Sequence, residues 1–228
     1  MAERRVKIKN LGEAFRLDAK AEGETAAIGD WRCQEGRPTR EAQGFACSPD
    51  RRNAAWAFSR SKAFKTMASL ELLGTLVSVR CVAGGGGPVC IDRLSISPGG
   101  TDNQGNSYLL DKLMTTKFPL GVILMELSCQ LGLRRACLHA RWIPRLQNEE
   151  ADALTNGEFG HFDPAKRIPV DLDDLGFRVL NELFEEGEAY IADLERLKKE
   201  EKAKKARKVT TDAVRRTAAR GPRKLPRR

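Results

Sequence analysis

The chain has 228 residues, of which 41% are hydrophobic and 31% are charged, with a formal net charge of +9. This length accommodates one ordinary domain with extensions. No run of about 18 apolar residues occurs, which excludes a typical membrane-spanning helix, and the amino-terminal segment lacks the apolar core of a secretory signal. Residues 196–228 hold fifteen Lys and Arg against three acids, so the rest of the chain has a net charge of −3.

The six cysteines are scattered through the chain and form no CxxC pair. Their placement in apolar segments favours reduced, buried thiols over a disulfide framework or a metal site, and we therefore expect an intracellular protein. The basic tail has three interpretations: non-specific contact with nucleic-acid phosphates, a nuclear localisation signal, or a solvated and disordered end. The second interpretation would make the protein nuclear.

The amino-terminal part predicts an antiparallel meander of three strands followed by a helix. Loose alternation favours a strand at Leu11–Asp18, and apolar runs favour strands at Thr25–Cys33 and Ala54–Ser59. Residues 34–53 are rich in Gly, Pro, Arg and Asp, and they predict an irregular loop between the second and third strands. From Lys65 to Val82 apolar residues recur at helical spacing, and Glu71 is the only acid in that segment.

The carboxy-terminal part predicts alternating strands and helices. Gly84–Gly87 is predicted to break the first helix, and Pro98-Gly99-Gly100 to end the fourth strand. The predicted elements are a strand at Val89–Ile91 and Leu94–Ile96, helices at Asn106–Thr115 and Pro119–Leu131 (the second ended by Gly132), a strand at Ala136–Ile143 and a helix at Glu149–Thr155. Residues 172–197 predict an amphipathic helix, beyond which large apolar residues become rare.

Four acids stand at the ends of predicted strands or on the helices beside them, namely Asp18, Glu71, Asp102 and Asp152. Open α/β sheets place their sites outside the carboxyl ends of strands, and the predicted topology brings these acids together there. Converging carboxylates repel each other unless cations neutralise them, and hard oxygen ligands favour Mg²⁺ or Mn²⁺ over zinc. Two such ions can activate a water and stabilise the leaving oxygen in phosphodiester hydrolysis. The sequence therefore predicts a metal-dependent nuclease that binds two ions.

Four segments resemble the motifs of a known family. They are FRLDAKAEGE (Phe15–Glu24), SLELLGTL (Ser69–Leu76), TDNQGNSY (Thr101–Tyr108) and RWIPRLQNEEADALTN (Arg141–Asn156). Over residues 12–160 the chain resembles the type 1 ribonuclease H domain, in particular the version attached to the reverse transcriptases of retroelements. The resemblance implies an RNase H-like α/β fold, with a five-stranded mixed sheet flanked by helices, followed here by a C-terminal helix and the basic tail.

The resemblance also implies an activity, which is cleavage of the RNA strand of RNA–DNA hybrids. The four acids would bind two Mg²⁺ or Mn²⁺ ions, and the minor groove and 2′-hydroxyls of the hybrid would be recognised. Asn103, Asn106 and Arg145 are predicted to contact the nucleic acid, although helix capping explains the two asparagines equally well.

The chain departs from the family pattern in three respects. No histidine occurs in Ile143–Glu150, the loop before the last acid where many members place one, and His161 is a displaced candidate. The family's basic protrusion between the central helices is missing, because only a short linker around Phe118 joins them. No YxDD-like polymerase motif occurs either, and we therefore expect a detached nuclease domain.

Simpler interpretations exist for each candidate. Asp102 suits a turn or cap, Asp152 the acidic first turn of a helix, and Glu71 an exposed helix position, while Glu22 and Glu24 compete with Asp18. Trp142 is predicted to pack in the core or at the domain edge.

The predicted organisation is an RNase H-like domain at 12–160, a linker and amphipathic helix at 161–197, and a basic, disordered tail at 198–228. Two other functions are alternatives to the nuclease. One is a catalytically inactive nucleic-acid-binding module that has the same fold. The other is an interaction protein that binds a partner through residues 172–197.

Overall fold

The computed structural model describes residues 7–10, 13–34, 36–58, 66–81, 93–187, 189, 192–193, 196–197 and 199–203. The chain divides into two compact units, residues 1–184 and 185–228. The described residues of the second unit are helical. In the first unit the strands are β1 (Lys7–Asn10), β2 (Glu13–Glu22), β3 (Thr25–Gln34), β4 (Gln43–Cys47), β5 (Arg93–Thr101) and β6 (Ala136–Trp142). The helices are α1 (Ala55–Phe58), α2 (Met67–Cys81), α3 (Gln104–Lys112), α4 (Leu120–Arg134) and α5 (Glu149–Thr155).

Strand β5 is the centre of a mixed sheet. It pairs in parallel with β6 along one edge and with β1 and then β2 along the other, because its residues 95–96 and 99–101 have partners on both sides. Strands β1 and β2 therefore follow one another along a single edge, and the sheet is five positions wide. Strands β3 and β4 extend it antiparallel beyond β2. The predicted five-stranded mixed sheet flanked by helices is confirmed, with β1 as a short addition.

Helix α2 packs on one face of this sheet. A Cβ atom built on Gly74 would lie 2.6 Å from Ile28 Cγ2 and would also meet Leu17, so the helix and the strands approach more closely than a larger residue allows. Residues 69–79 of α2 are buried on every side, which explains why the helix lacks a polar face. Its neighbours are β2, β3, α3 and α4.

Helix α5 packs on the opposite face of the sheet, against β2 and β3. A Cβ atom on Gly29 would lie 2.7 Å from Leu154 Cβ and 3.1 Å from the Ala151 carbonyl oxygen. The absence of a side chain at this one position of β3 lets α5 lie directly on the strand. In the register of the sheet, Gly29 is paired with Asp18.

The third strand was predicted at the wrong place. Ala55–Phe58 forms α1 instead, and β4 lies at Gln43–Cys47, inside the segment predicted to be a loop. Three consecutive residues of α1 are buried, so the run AAWAFS has no alternation to mark a strand, and short apolar runs are ambiguous in this way. The composition of β4 does not indicate a buried strand, and its contact with the core is made by the fully buried Phe45.

Two predicted breaks are also corrected. Pro98-Gly99-Gly100 lies within β5, where Gly99 leaves room for the Phe15 ring, whose Cε1 would be 2.6 Å from a Cβ atom there. Gly132 lies inside α4, which continues to Arg134 and ends with Arg135 in the left-handed region at φ 49°. The predicted linker Gly84–Gly87, the strand segment Val89–Ile91 and the tail beyond residue 203 lie outside the described residues.

The segment 172–184 packs on the core of the first unit. Leu172 and Leu180 are buried, and the Phe184 ring stacks on Trp56 with 5.5 Å between centroids. The buried Glu126 carboxylate of α4 accepts hydrogen bonds of 2.7–3.2 Å from the backbone N–H groups of residues 178–180. These apolar side chains therefore already make their contacts within the first unit. No helix in the part of the chain that the structure describes is long and apolar enough to cross a membrane.

Candidate active site

Asp18 and Asp102 lie near each other where the pairing of β2 with β5 ends. The parallel register pairs Arg16 with Gly100 and Leu17 with Thr101, and the next residues are Asp18, within β2, and Asp102, directly after β5. Asp18 is 3% exposed and its Oδ2 accepts a hydrogen bond of 3.2 Å from the Thr155 hydroxyl of α5. The close packing of α5 on β3 positions this donor.

Glu71 reaches the same region from α2. Its side chain is 6% exposed, and its Oε2 accepts hydrogen bonds from Asn106 Nδ2 at 3.2 Å and from the Thr101 hydroxyl at 3.4 Å. Asn106 also donates to the Ala68 carbonyl at 2.9 Å, so its amide ties α3 to α2. Glu71 is thus held by two neighbouring elements, and it is not the exposed helix position that was its simpler interpretation.

Asp152 lies on α5 at the more open side of the group. Its Oδ1 accepts a hydrogen bond of 3.1 Å from Arg145 Nη2, and its Oδ2 accepts one of 3.1 Å from Asn156 Nδ2. The Asp152 side chain is 37% exposed. This acid, rather than the deeply buried Asp18 and Glu71, faces the solvent from which a ligand would approach.

The carboxylates influence one another electrostatically. Burial, followed by repulsion from Asp102 and Asp152, raises the pKa of Asp18 to about 6. Burial, followed by repulsion from Asp102 and Asp18, raises the pKa of Glu71 to about 8. The pKa of Asp102 is raised by burial, with Asp152 adding to the effect. All four predicted acids therefore converge on one region, and without a cation their joint ionisation is unfavourable.

Among the described residues, the cation that pairs with this cluster is Arg145. Arg145 stands in a single turn of 3-10 helix after β6, and the attraction of Asp152, Asp18 and Asp102 raises the pKa of its guanidinium. In return, Arg145 opposes the upward pKa shifts of Asp18 and Asp102. The contact with nucleic acid that the sequence predicts for Arg145 stays a prediction.

The donor atoms of the cluster fit a hard divalent cation. All are carboxylate oxygens, the ligand type that Mg²⁺ and Mn²⁺ prefer. Asp102 Oδ1 is buried and has no hydrogen-bond partner within the described residues, so it is an acceptor that a cation would satisfy. Within the same residues, no group of three or more His, Cys, Asp or Glu side chains is already arranged to hold a metal ion.

The structure gives the two asparagines partners within the protein. Asn106 is 2% exposed and its amide is used by Glu71 and Ala68, so its predicted contact with a nucleic acid needs correction. Asn103 is the N-cap of α3, where its side chain accepts a hydrogen bond of 3.2 Å from the Asn106 N–H. Asn103 is therefore a cap, and its contact with a nucleic acid stays a prediction.

Trp142 stands at the lip of the cluster instead of in the core. It is 49% exposed, and its indole N–H donates a hydrogen bond of 3.0 Å to the Asp102 carbonyl oxygen. This bond fixes the backbone that carries Asp102. Of the two predicted positions for Trp142, the core and the edge of the domain, the edge is correct.

Sequence reasoning missed the residues that orient the acids. Thr101 and Thr155 donate to Glu71 and Asp18, and both belong to motifs quoted for the family resemblance. The available signal was their position in the sequence. Thr101 directly precedes Asp102, and Thr155 follows Asp152 by three residues. His161, the displaced histidine candidate, is exposed in a turn that follows α5.

Solved structures of several ribonucleases H resemble this chain. The N-terminal RNase H domain of rv2228c from Mycobacterium tuberculosis is 15% identical with a TM-score of 0.43, covering 65% of this chain and 93% of that one. RNase H1 from Halobacterium salinarum is 17% identical with a TM-score of 0.40, covering 65% and 97%. LC11-RNase H1, in complex with an RNA/DNA hybrid, is 17% identical with a TM-score of 0.43, covering 64% and 94%.

No protein-family model matches the chain, and no curated protein matches it. The fold and the cluster together define an α/β domain with four acids at the end of its central parallel strands.

Proposed function

We propose that this protein is a metal-dependent endoribonuclease that cleaves the RNA strand of RNA–DNA hybrids. The observation that carries the proposal is the meeting of four carboxylates from β2, α2, the end of β5 and α5, three of which have raised pKa values. Such a group is costly in a folded protein unless cations bind to it. A cluster that exists only to stabilise the fold would contain matched charges.

Asp18, Glu71, Asp102 and Asp152 would hold two Mg²⁺ or Mn²⁺ ions. When bound, the ions would supply the Lewis acidity that activates a water and stabilises the leaving oxygen of a phosphodiester. The chain's own residues keep the ligands in place, since Thr155 orients Asp18, and Asn106 and Thr101 orient Glu71. Asn156 and Arg145 do the same for Asp152.

The choice of substrate rests on the motif resemblance over residues 12–160. The last strand, turn and acid motif at Arg141–Asn156 and the segment Thr101–Tyr108 are similar to the retroelement version of the type 1 ribonuclease H domain. We therefore assign the substrate to RNA–DNA hybrids and the origin to a retroelement. Residues 198–228 would add non-specific affinity for phosphates in an intracellular or nuclear setting.

Cleavage of a labelled hybrid tests this proposal. The full chain should nick the RNA strand only when Mg²⁺ or Mn²⁺ is present, and it should leave duplex DNA intact. Asp102→Asn should abolish cleavage, because it removes the charge of an acid that has an unpartnered buried oxygen. Asp111→Asn, at an exposed acid on α3, is the matched control and should cleave like the wild type. Cleavage by Asp102→Asn at the wild-type rate would refute the assignment.

A catalytically inactive hybrid-binding module is the second candidate. The observation that favours it is Arg145, which already pairs with Asp152 and reduces the charge of the cluster without a metal ion. This alternative predicts that the wild type shifts the hybrid in a gel at every divalent-ion concentration and never cuts it. A metal-dependent nick in the RNA strand excludes it.

A further inference from the structure

A second group of charged residues lies one step away from the four acids. Gly100 in β5 is paired with Arg16 in β2 on one side and with Arg141 in β6 on the other. A Cβ atom on Gly100 would lie 3.1 Å from both Arg16 Cδ and Arg16 Nη1. The glycine therefore leaves space that the Arg16 side chain crosses towards Arg141.

The register brings two cationic side chains together, since Arg16 and Arg141 lie on either side of the same glycine. Arg16 Nη1 is buried and has no hydrogen-bond partner within the described residues. A buried guanidinium nitrogen without an acceptor is unfavourable, and two neighbouring cations favour the binding of an external anion.

The group formed by Arg16, Gly100 and Arg141 also has a defined position relative to the four acids. Arg16 precedes Asp18 by two residues on β2, so both side chains lie on the same face of the sheet, about 6.6 Å apart along the strand. Gly100 precedes Asp102 by two residues on the neighbouring strand. Arg141 is exposed, so solvent and ligands reach the pair from its side.

We propose that Arg16 and Arg141 form a phosphate-binding site that grips the nucleic-acid backbone next to the bond positioned at Asp18 and Asp102. This inference rests on the proposed function, because it takes the ligand to be a nucleic-acid strand. Guanidinium groups bind phosphate through paired N–H donors in a planar fork, and phosphate contacts set the register of a strand without reading its sequence.

Binding of a fluorescently labelled RNA–DNA hybrid to the full chain, measured by anisotropy in EDTA at several NaCl concentrations, tests the site. Arg141→Gln should weaken binding roughly 5- to 30-fold, as expected for loss of a charge-assisted contact. It should also reduce the slope of log affinity against log salt by about 1. Arg141→Lys should keep the slope while losing part of the affinity, because it keeps the charge and loses the fork.

Arg40→Gln, at an exposed arginine in the turn before β4, is the matched control and should leave the affinity and the salt slope close to those of the wild type. Arg16→Gln is a second variant, checked by thermal melting because the residue is half-buried. If Arg141→Gln matches Arg40→Gln in affinity and slope, the phosphate site is refuted even when the wild type cleaves the hybrid. If Arg141→Gln weakens binding while no variant cleaves, the phosphate site stands and the nuclease assignment fails.

Discussion

Arg145 Nη2 lies 3.1 Å from Asp152 Oδ1, and this ion pair joins the turn after β6 to helix α5. The Arg145 side chain is 74% exposed and also attracts Asp18 and Asp102. Its positive charge therefore acts on the same carboxylates that we propose as ligands of a cation. A divalent ion that uses Asp152 Oδ1 has to displace it.

Removing this competitor should tighten metal binding. Arg145→Gln is expected to lower the dissociation constant for Mn²⁺ by a factor of about 1.4 to 5, because an exposed ion pair of this kind contributes roughly 0.2–1 kcal/mol. Isothermal titration with Mn²⁺ measures the change directly. Arg52→Gln, which breaks the exposed pair with Asp50 at 2.9 Å, is the control and should not alter Mn²⁺ affinity. Equal Mn²⁺ affinity in wild type and Arg145→Gln would show that Arg145 does not compete.

Glu126 should be a major contributor to the stability of the first unit. Burial raises its pKa, but hydrogen bonds from Gln130 and from the backbone of residues 178–180 together outweigh burial, so the pKa is lowered. Glu126→Ala leaves those N–H groups without an acceptor and should cost about 2–4 kcal/mol in the free energy of unfolding.

Urea unfolding monitored by circular dichroism measures the Glu126 effect. Because the pKa is lowered in the fold, the contribution is present above the unfolded value near 4.5 and is lost as the pH falls through the folded value. Glu182→Ala, at an exposed acid one turn further on, should change stability by less than about 0.5 kcal/mol. A loss of unfolding free energy of similar size in both variants would contradict the role of Glu126 as the acceptor for the N–H groups of residues 178–180.

Asp30 should make the fold less stable as the pH rises. It is fully buried in β3, and burial raises its pKa to about 8. Ser78 and the backbone of Trp31 and Arg16 oppose the shift, although neither carboxylate oxygen of Asp30 has a partner with hydrogen-bond geometry in the described residues. An acid with a raised folded pKa binds its proton more tightly in the fold, so stability falls between the unfolded value near 4 and pH 8.

Asp30→Asn removes that titration. The free energy of unfolding of Asp30→Asn, relative to that of the wild type, should increase between about pH 4 and pH 8 by at most about 1.4 kcal/mol per pH unit. This difference should level off above pH 8. Urea unfolding at pH 5, 7 and 9 gives the comparison. Asp163→Asn, at an acid in the turn before residues 164–166, provides a baseline for the same pH range. A difference between Asp30→Asn and wild type that does not change with pH would rule out a neutral, buried Asp30.

Gly29→Ala should displace α5 and, with it, the side chains of Asp152 and Thr155. The added Cβ would lie 2.7 Å from Leu154 Cβ, so the helix has to move away from β3. We expect a loss of about 1–3 kcal/mol in stability together with a fall in cleavage rate, since Asp152 and Thr155 lie on that helix. Gly132→Ala in α4 has nothing within 4 Å of its new Cβ and should instead stabilise by about 0.5–1 kcal/mol. Unfolding and cleavage assays on both variants separate the effect of the clash between α5 and β3 from the effect of helix propensity. A Gly29→Ala protein as stable as Gly132→Ala would contradict the close packing of α5 on β3.

The sheet and its helices could be predicted largely because their periodicity is clear. Glu149–Thr155 was predicted at its observed bounds, since an acidic first turn followed by ADALT is a strong helical signal. Strand β4 could not be predicted, because QGFAC is short and its one large apolar residue, Phe45, gains meaning only when the neighbouring strand is in place. The break assigned to Gly99 and Gly100 failed for a related reason: these glycines serve close packing by Phe15 and Arg16 and do not mark a turn.

The candidate site divides in the same way. The four acids could be proposed from their places at strand ends and from the motifs, and the structure brings them together. The inward orientation of Asn106 depends on which face of α3 meets α2, and the exposure of Trp142 depends on how β6 packs against α3 and α4. No local pattern encodes either of these. The pairing of Gly100 with Arg16 and Arg141 depends on strand register, which cannot be predicted from the sequence.

The three acids with raised pKa values have a consequence for how this chain can change over time. Exchanging Asp18, Glu71 or Asp102 for an amide would relieve repulsion and make the ion-free domain more stable, so loss of these charges is thermodynamically downhill. The chain carries these three acids at a cost to the stability of its ion-free form.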